Sequence, residues 1–148
     1  MQLKLIRTAP VLLISLCLLC LYVSCNVSKK VNTAGKYNFE IRFGSTGGFT
    51  NINPIYIVKS NGEISKQASA SAEIQQVSKM SKSKADSLYL LLDKSNFNNL
   101  KINEVSNYTN YIEVKSEQFN NKISWFNDSQ IPAEVKKLHS YLLTLVKK

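Results

Sequence analysis

Apolar and polar residues alternate along Tyr37–Phe43, where Tyr37, Phe39, Ile41 and Phe43 are separated by Asn38, Glu40 and Arg42. A period of two places the four apolar side chains on one face of an extended chain, which predicts a strand with one buried face. "GSTGG" interrupts the pattern at Gly44–Gly48, because glycine permits backbone angles other residues avoid. Alternation resumes after Pro54, with Ile55 and Ile57 set against Tyr56 and Val58. Pro54 suits an edge or a strand start. Ser60-Asn61-Gly62 predicts a hairpin turn, since an Asn-Gly pair takes positive φ at little cost, with Glu63–Lys66 as the return strand. Gln67–Ser78, rich in Ala, Ser and Gln, is expected to be a loose loop or a weak further strand ending near Val77.

The period then changes. Ala85, Leu88, Tyr89 and Leu92 fall at the i, i+3, i+4, i+7 spacing of one helical face. Ser83 with Asp86 resembles a capping box, Ser81 is the rival cap, and the Asn-rich stretch after Phe97 ends the helix. Ile112 and Val114 alternate with Tyr111, Glu113 and Lys115, a turn is expected near Asn120 and Asn121, and Ile123 and Trp125 mark another return strand. Pro132 opens a last helix at its first position, with Val135, Leu138, Leu142 and Leu145 as its stripe and Lys147 and Lys148 at its carbonyl end. The order is strands, helix, strands, helix, with connections too short for parallel crossovers. The expected fold class is α+β: a small antiparallel sheet of about four strands with two helices packed on one face, in a single domain over 37–148.

The first residues follow another logic. Lys4 and Arg7 precede a nearly unbroken apolar run over Val11–Val23, and small Ser24 stands before Cys25. A basic start, an apolar middle and a small residue at the cut form an export signal. "LYVSC", residues 21–25, resembles the lipobox of bacterial lipoproteins, in which the cysteine takes a diacylglycerol on its sulfur and becomes the new N-terminus. Val23 and Ser24 match that pattern, and Tyr22 stands where Leu is usual. Cys17 and Cys20 each follow Leu and compete poorly as cut sites. The resemblance implies a signal peptide over 1–24, lipid attachment at Cys25 and a polar tether over 25–36. An uncleaved membrane helix over Leu3–Val23 and a soluble exported form are the alternatives. All three place the domain outside the cytoplasm. The lipidated form belongs in the cell envelope, expected at the periplasmic face of an outer membrane, with the bilayer as a partner through its acyl chains.

Removing residues 1–24 leaves 124 residues with 17 basic and 10 acidic side chains, a net +7, and Arg42 is the only arginine among them. One core of ordinary size is expected. With Cys25 acylated no cysteine remains to pair, so the fold rests on that core alone. The lysines are scattered, without the clustered arginines and exposed aromatics that nucleic-acid recognition favours, so no nucleic acid is expected as partner. Lys29, Lys30 and Lys36 lie near the anchor, where each can add about 1 kcal/mol of attraction to an anionic leaflet.

Catalytic chemistry is sparse. His139 is the only histidine, beside the apolar stripe of the last helix with nothing at metal-ligand spacing. No nucleophile-elbow or phosphate-cradling sequence is present, and Glu113 and Glu117 have no basis as an acid–base pair. The sequons at Asn26, Asn107 and Asn127 fit the Asn-rich composition. The expectation is a non-enzyme with no cofactor and no metal. What remains is "GSTGGFTNIN", residues 44–53, either a glycine-rich loop the sheet requires or a protruding segment that presents Phe49 to a partner.

"IRFGSTGGFTNI" resembles the opening of emfourin-type proteins, inhibitors of thermolysin-like metallopeptidases, with Thr46 as an insertion. The similarity continues in "ADSLYLLLDKSNF", "NYIEVK", "KISWF" and "PAEVKKLHSYLLTLV", and so spans about Tyr37 to Val146. It implies a binding segment containing Ser45, Gly47, Gly48, Phe49 and Asn51. The functional expectation is a membrane-anchored lipoprotein whose domain binds another protein, a metallopeptidase or an envelope component. The alternative is a structural envelope lipoprotein that binds cell-wall polymer or another subunit through its basic surface.

Overall fold

The computed structural model describes residues 38–49 and 53–147. Cys25, Tyr37 and Asn51 lie outside the described residues, as do the signal and tether expected over 1–36. The described chain forms six strands and two α-helices: β1 Phe39–Gly47, β2 Ile55–Lys59, β3 Glu63–Gln67, β4 Ile74–Lys79, α1 Lys82–Lys94, β5 Tyr108–Ser116, β6 Asn120–Trp125 and α2 Ala133–Val146. All pairings are antiparallel, in the order β4-β3-β2-β1-β5-β6. The α+β class and the antiparallel sheet hold, but the sheet has six strands rather than about four.

Strand β4, the weak-strand option for Gln67–Ser78, carries little side-chain signal. β4 is exposed at every position, because an edge strand can be held by backbone pairing to β3 while burying nothing of its own. Its register slips between Ile64 and Ser65, a bulge of the kind that discourages further pairing at a bare edge. The opposite edge is covered differently. Asn103 bridges Ser124 in parallel, with Glu104 N–H donating to the Ser124 carbonyl and Ser124 N–H to the Ile102 carbonyl, each at 3.0 Å.

The register explains the core. Ile41 stands opposite Val58 and Val114, and Phe43 opposite Tyr56 and Ile112; Ile112 in turn pairs with Ile123. These residues share one face, where they form a single cluster with Ala85, Leu88 and Leu92 of α1 and Val135, Leu138 and Leu142 of α2. Each fully buried Leu or Ile contributes roughly 1.5–3 kcal/mol. Tyr141 Oη donates to the Lys84 carbonyl at 3.0 Å and ties the helices together. The other face carries charges paired along the strands: Arg42 with Glu40 at 2.7 Å, Lys59 with Glu63 at 3.1 Å and Lys115 with Glu113 at 3.3 Å. Lys122 Nζ lies 4.9 Å from the centre of the Tyr111 ring.

Local signals differ from expectation in five places. Strand β1 runs through Gly44 to Gly47 instead of stopping at Phe43. In the β2–β3 turn only Gly62 takes a positive φ, at 91°, and Asn61 uses its side chain to accept from Glu63 N–H at 2.9 Å. Ser81, not Ser83, caps α1 by accepting from Lys84 N–H. The β5–β6 turn falls at Glu117–Phe119 rather than at Asn120 and Asn121, because Ser116 Oγ accepts from the N–H groups of Gln118 and Phe119 at 3.2 and 3.1 Å. Pro132 is the residue before α2 rather than its first position.

Candidate functional site

Beyond Phe43 the side chains of β1 shrink, and backbone contacts take over the work of holding the strand. Gly44, Ser45, Thr46 and Gly47 stay in register with Tyr111, Asn110, Thr109 and Tyr108. Ser45 and Gly47 are therefore strand residues, and the protruding segment begins only at Gly48. Gly48 N–H then donates to the Asn107 carbonyl at 2.6 Å, and Asn53 Nδ2 donates to the Gly47 carbonyl at 2.7 Å. The corner is pinned from both sides.

Gly47 and Gly48 have φ of 86° and 82°. A Cβ on Gly47 would fall on the Asn107 carbonyl, so the close approach of β1 and β5 excludes a side chain there as firmly as the left-handed angle does. A Cβ on Gly48 would meet only the edge of the Tyr108 ring, at 4.0 Å. The glycines serve the sheet, and in doing so they turn the chain so that the next residue, Phe49, is fully exposed.

Phe49 has apolar company at this end of the sheet. Tyr108, opposite Gly47, is 54% exposed, and Val105, in the loop leading to β5, is 76% exposed. Phe126 follows Trp125, which pairs with Asn110, and is 47% exposed. The loop is fixed by Thr109 Oγ1, which donates to the Ser106 carbonyl at 3.0 Å and accepts from Ser106 N–H at 2.9 Å. Four large apolar side chains thus stand outward from one end of a rigid sheet. Sequence reasoning identified Phe49 and missed Val105, Tyr108 and Phe126. The signal for Phe126 was present, since it falls out of phase with Ile123 and Trp125.

Beneath this rim the polar groups are satisfied internally. Trp125 is fully buried and its Nε1 donates to Asp128 Oδ1 at 3.0 Å. His139 meets the Trp125 ring edge-on, with centroids 5.0 Å apart. Burial holds its pKa below the usual histidine value, and the nearby Asp128 carboxylate only partly opposes the shift. The imidazole is a neutral packing group. Burial raises the Tyr111 phenol above its ordinary pKa, reinforced by Glu113 and opposed by Arg42. Glu113 is engaged with Lys115 on the face away from the helices, whereas Glu117 lies in the β5–β6 turn. Among the described residues no group of three or more His, Cys, Asp or Glu is placed to hold a metal ion. No buried side-chain nitrogen or oxygen among them lacks a hydrogen bond. No helix among them is long and apolar enough to cross a membrane.

Comparison with protein-family models gives no match for the chain, and comparison with curated proteins gives none either.

Proposed function

We propose that the chain is a lipid-anchored envelope protein that binds another protein, without catalysis, through the end of the sheet that carries Phe49. The specific form of this reading is an emfourin-like inhibitor of a thermolysin-type metallopeptidase. The observation that carries it is Phe49, fully exposed and held by a corner that two hydrogen bonds fix in place. Exposed aromatic side chains on a preorganised segment make effective anchors because little conformational entropy is lost when they dock. Tyr108, Val105 and Phe126 widen the apolar rim around that anchor.

Strand β1 ends at the Gly47–Phe49 corner, and its nine residues span roughly 30 Å at strand rise, so the rim lies about that far along the strand from Phe39. Two measurements test the reading. Intact mass of the membrane-extracted protein should correspond to a chain beginning at Cys25 with a diacylglycerol attached, and an unacylated cytosolic chain beginning at Met1 would refute the anchor. Titration of the full chain against thermolysin-type peptidases should inhibit at least one, and unchanged activity with no complex would refute the inhibitor form.

A second reading assigns the contact to the lysine surface and an anionic polymer. Lys79 and Lys82 favour it, since they line one depression with the Ser60–Gly62 turn. Ionic strength separates the two, because a charge-led contact weakens steeply as salt rises and an aromatic-led one weakens little.

A further inference from the structure

A cleft of about 420 Å³ opens at the other end of the sheet, where β1 begins. It is large enough for one or two small rings. Buried Phe39 and Phe97 contribute to its floor, and partly buried Tyr89 and Phe119 stand at its sides. Three separate stretches build it: the start of β1, the end of α1 with the turn that follows, and the β5–β6 turn. Asn96 takes φ 49° in that turn, and Asn99 Nδ2 donates to its side-chain oxygen at 2.7 Å. Asn121 Nδ2 donates to the Phe97 and Leu100 carbonyls at 2.7 and 3.0 Å, which fixes the wall against β6.

The lip is polar and of one character. Asp93, Asn98, Glu117 and Gln118 line it, and among the described residues their side chains have no hydrogen-bond or ion-pair partner. Among the described residues no lysine or arginine lines the cleft, although the chain as a whole carries a net charge of +9. Against those residues a phosphate or carboxylate ligand would meet two carboxylates and no cation. A simple cation would use the carboxylates and leave the amide donors of Asn98 and Gln118 idle. The ligand that uses every group has an apolar face for the rings and an edge bearing both donors and acceptors.

We propose that this cleft binds a saccharide, with the C–H face of a pyranose ring against Tyr89 or Phe119. Its hydroxyl or acetamido groups donate to Asp93 and Glu117 and accept from Asn98 and Gln118. The inference is independent of peptidase binding, because the cleft and the Phe49 rim share no residue.

The test is calorimetric titration of the detergent-solubilised full chain with chitotetraose and, separately, with cellotetraose. One of the two should bind saturably, with a Kd of about 0.1–1 mM. Tyr89→Ala and Asn98→Ala should each weaken it by roughly fivefold or more, while Phe49→Ala leaves it unchanged. Asn98 is exposed, so its variant remains informative even where Tyr89→Ala disturbs folding. Absence of saturable heat for both sugars up to about 10 mM would overturn the assignment. So would binding that ignores Asn98→Ala, or a preference for spermidine that Asp93→Asn abolishes.

Discussion

At one end of the sheet Phe49, Tyr108 and Phe126 stand in solvent, while at the other Phe39, Tyr89, Phe97 and Phe119 turn inward around a cleft. The two ends have similar aromatic content and are built by different means. The inward set is held by side-chain packing, with α1 and the turn after it closing over the start of β1. The outward set is held by the backbone hydrogen bond between Gly48 and Asn107 and by Asn53 on Gly47, and Phe49 is exposed. Leaving a phenylalanine exposed forgoes roughly 1.5–3 kcal/mol of burial. Local choices that work against folding mark the places where a protein meets something else. By that criterion the Phe49 end suits the proposed protein partner, and the opposite end the proposed small ligand.

The contrast can be broken by mutation, and the largest effect belongs to the packed end. Phe97→Ala removes a ring that is 2% exposed and should destabilise the protein by about 3–5 kcal/mol in denaturant unfolding. A loss under about 1 kcal/mol would mean that the cleft floor is not part of the core. Gly47→Ala comes next. A left-handed angle and a collision with the Asn107 carbonyl together should cost about 3 kcal/mol, and near-wild-type unfolding would show that the corner is soft.

A smaller effect is expected from pH. The pKa of His139 is lowered in the folded state by burial, so unfolding takes up a proton as pH falls. The stability its neutral ring provides is complete above the unfolded pKa of about 6.5 and is lost as pH drops through the lowered folded value. Asp128 is the charged group that opposes this shift, and Trp125 is the ring His139 packs against. The melting temperature should therefore fall between neutral and mildly acidic pH, and His139→Gln should flatten that slope. An identical slope in the variant would mean that other groups carry it. The smallest effect is on stability in Phe49→Ala, within about 0.5 kcal/mol, since the ring is fully exposed. A larger loss would place Phe49 in the core and remove it as an anchor.

The sequence revealed what side-chain period can reveal. Phe39, Ile41 and Phe43 announce β1, and Ala85, Leu88 and Leu92 announce the buried face of α1, because each pattern matches the geometry that buries it. The continuation of β1 to Gly47 was hidden, since glycine and Ser45 leave no hydrophobic trace and the strand is held there by β5. β4 was legible only as one of two options for Gln67–Ser78, a weak strand or a loose loop, because none of its six residues is buried. The choice of Ser81 over Ser83, and of Ser116 as the turn-maker, depends on hydroxyl geometry that composition does not encode. Of the candidate surface, Gly47, Gly48 and Phe49 were legible as a segment, whereas Val105, Tyr108 and Phe126 join it only through strand register. The cleft was illegible because its walls come from stretches that are remote in sequence.

The most direct test measures affinity for an inhibited thermolysin-type peptidase in two single variants of the full chain. Phe49→Ala should weaken binding by about 2 kcal/mol or more, roughly thirtyfold, while Asn98→Ala, an exposed position at the opposite end, should leave it unchanged. Equal affinities for Phe49→Ala and the unaltered chain, or a loss confined to Asn98→Ala, would contradict the assignment of the partner to the exposed end of the sheet.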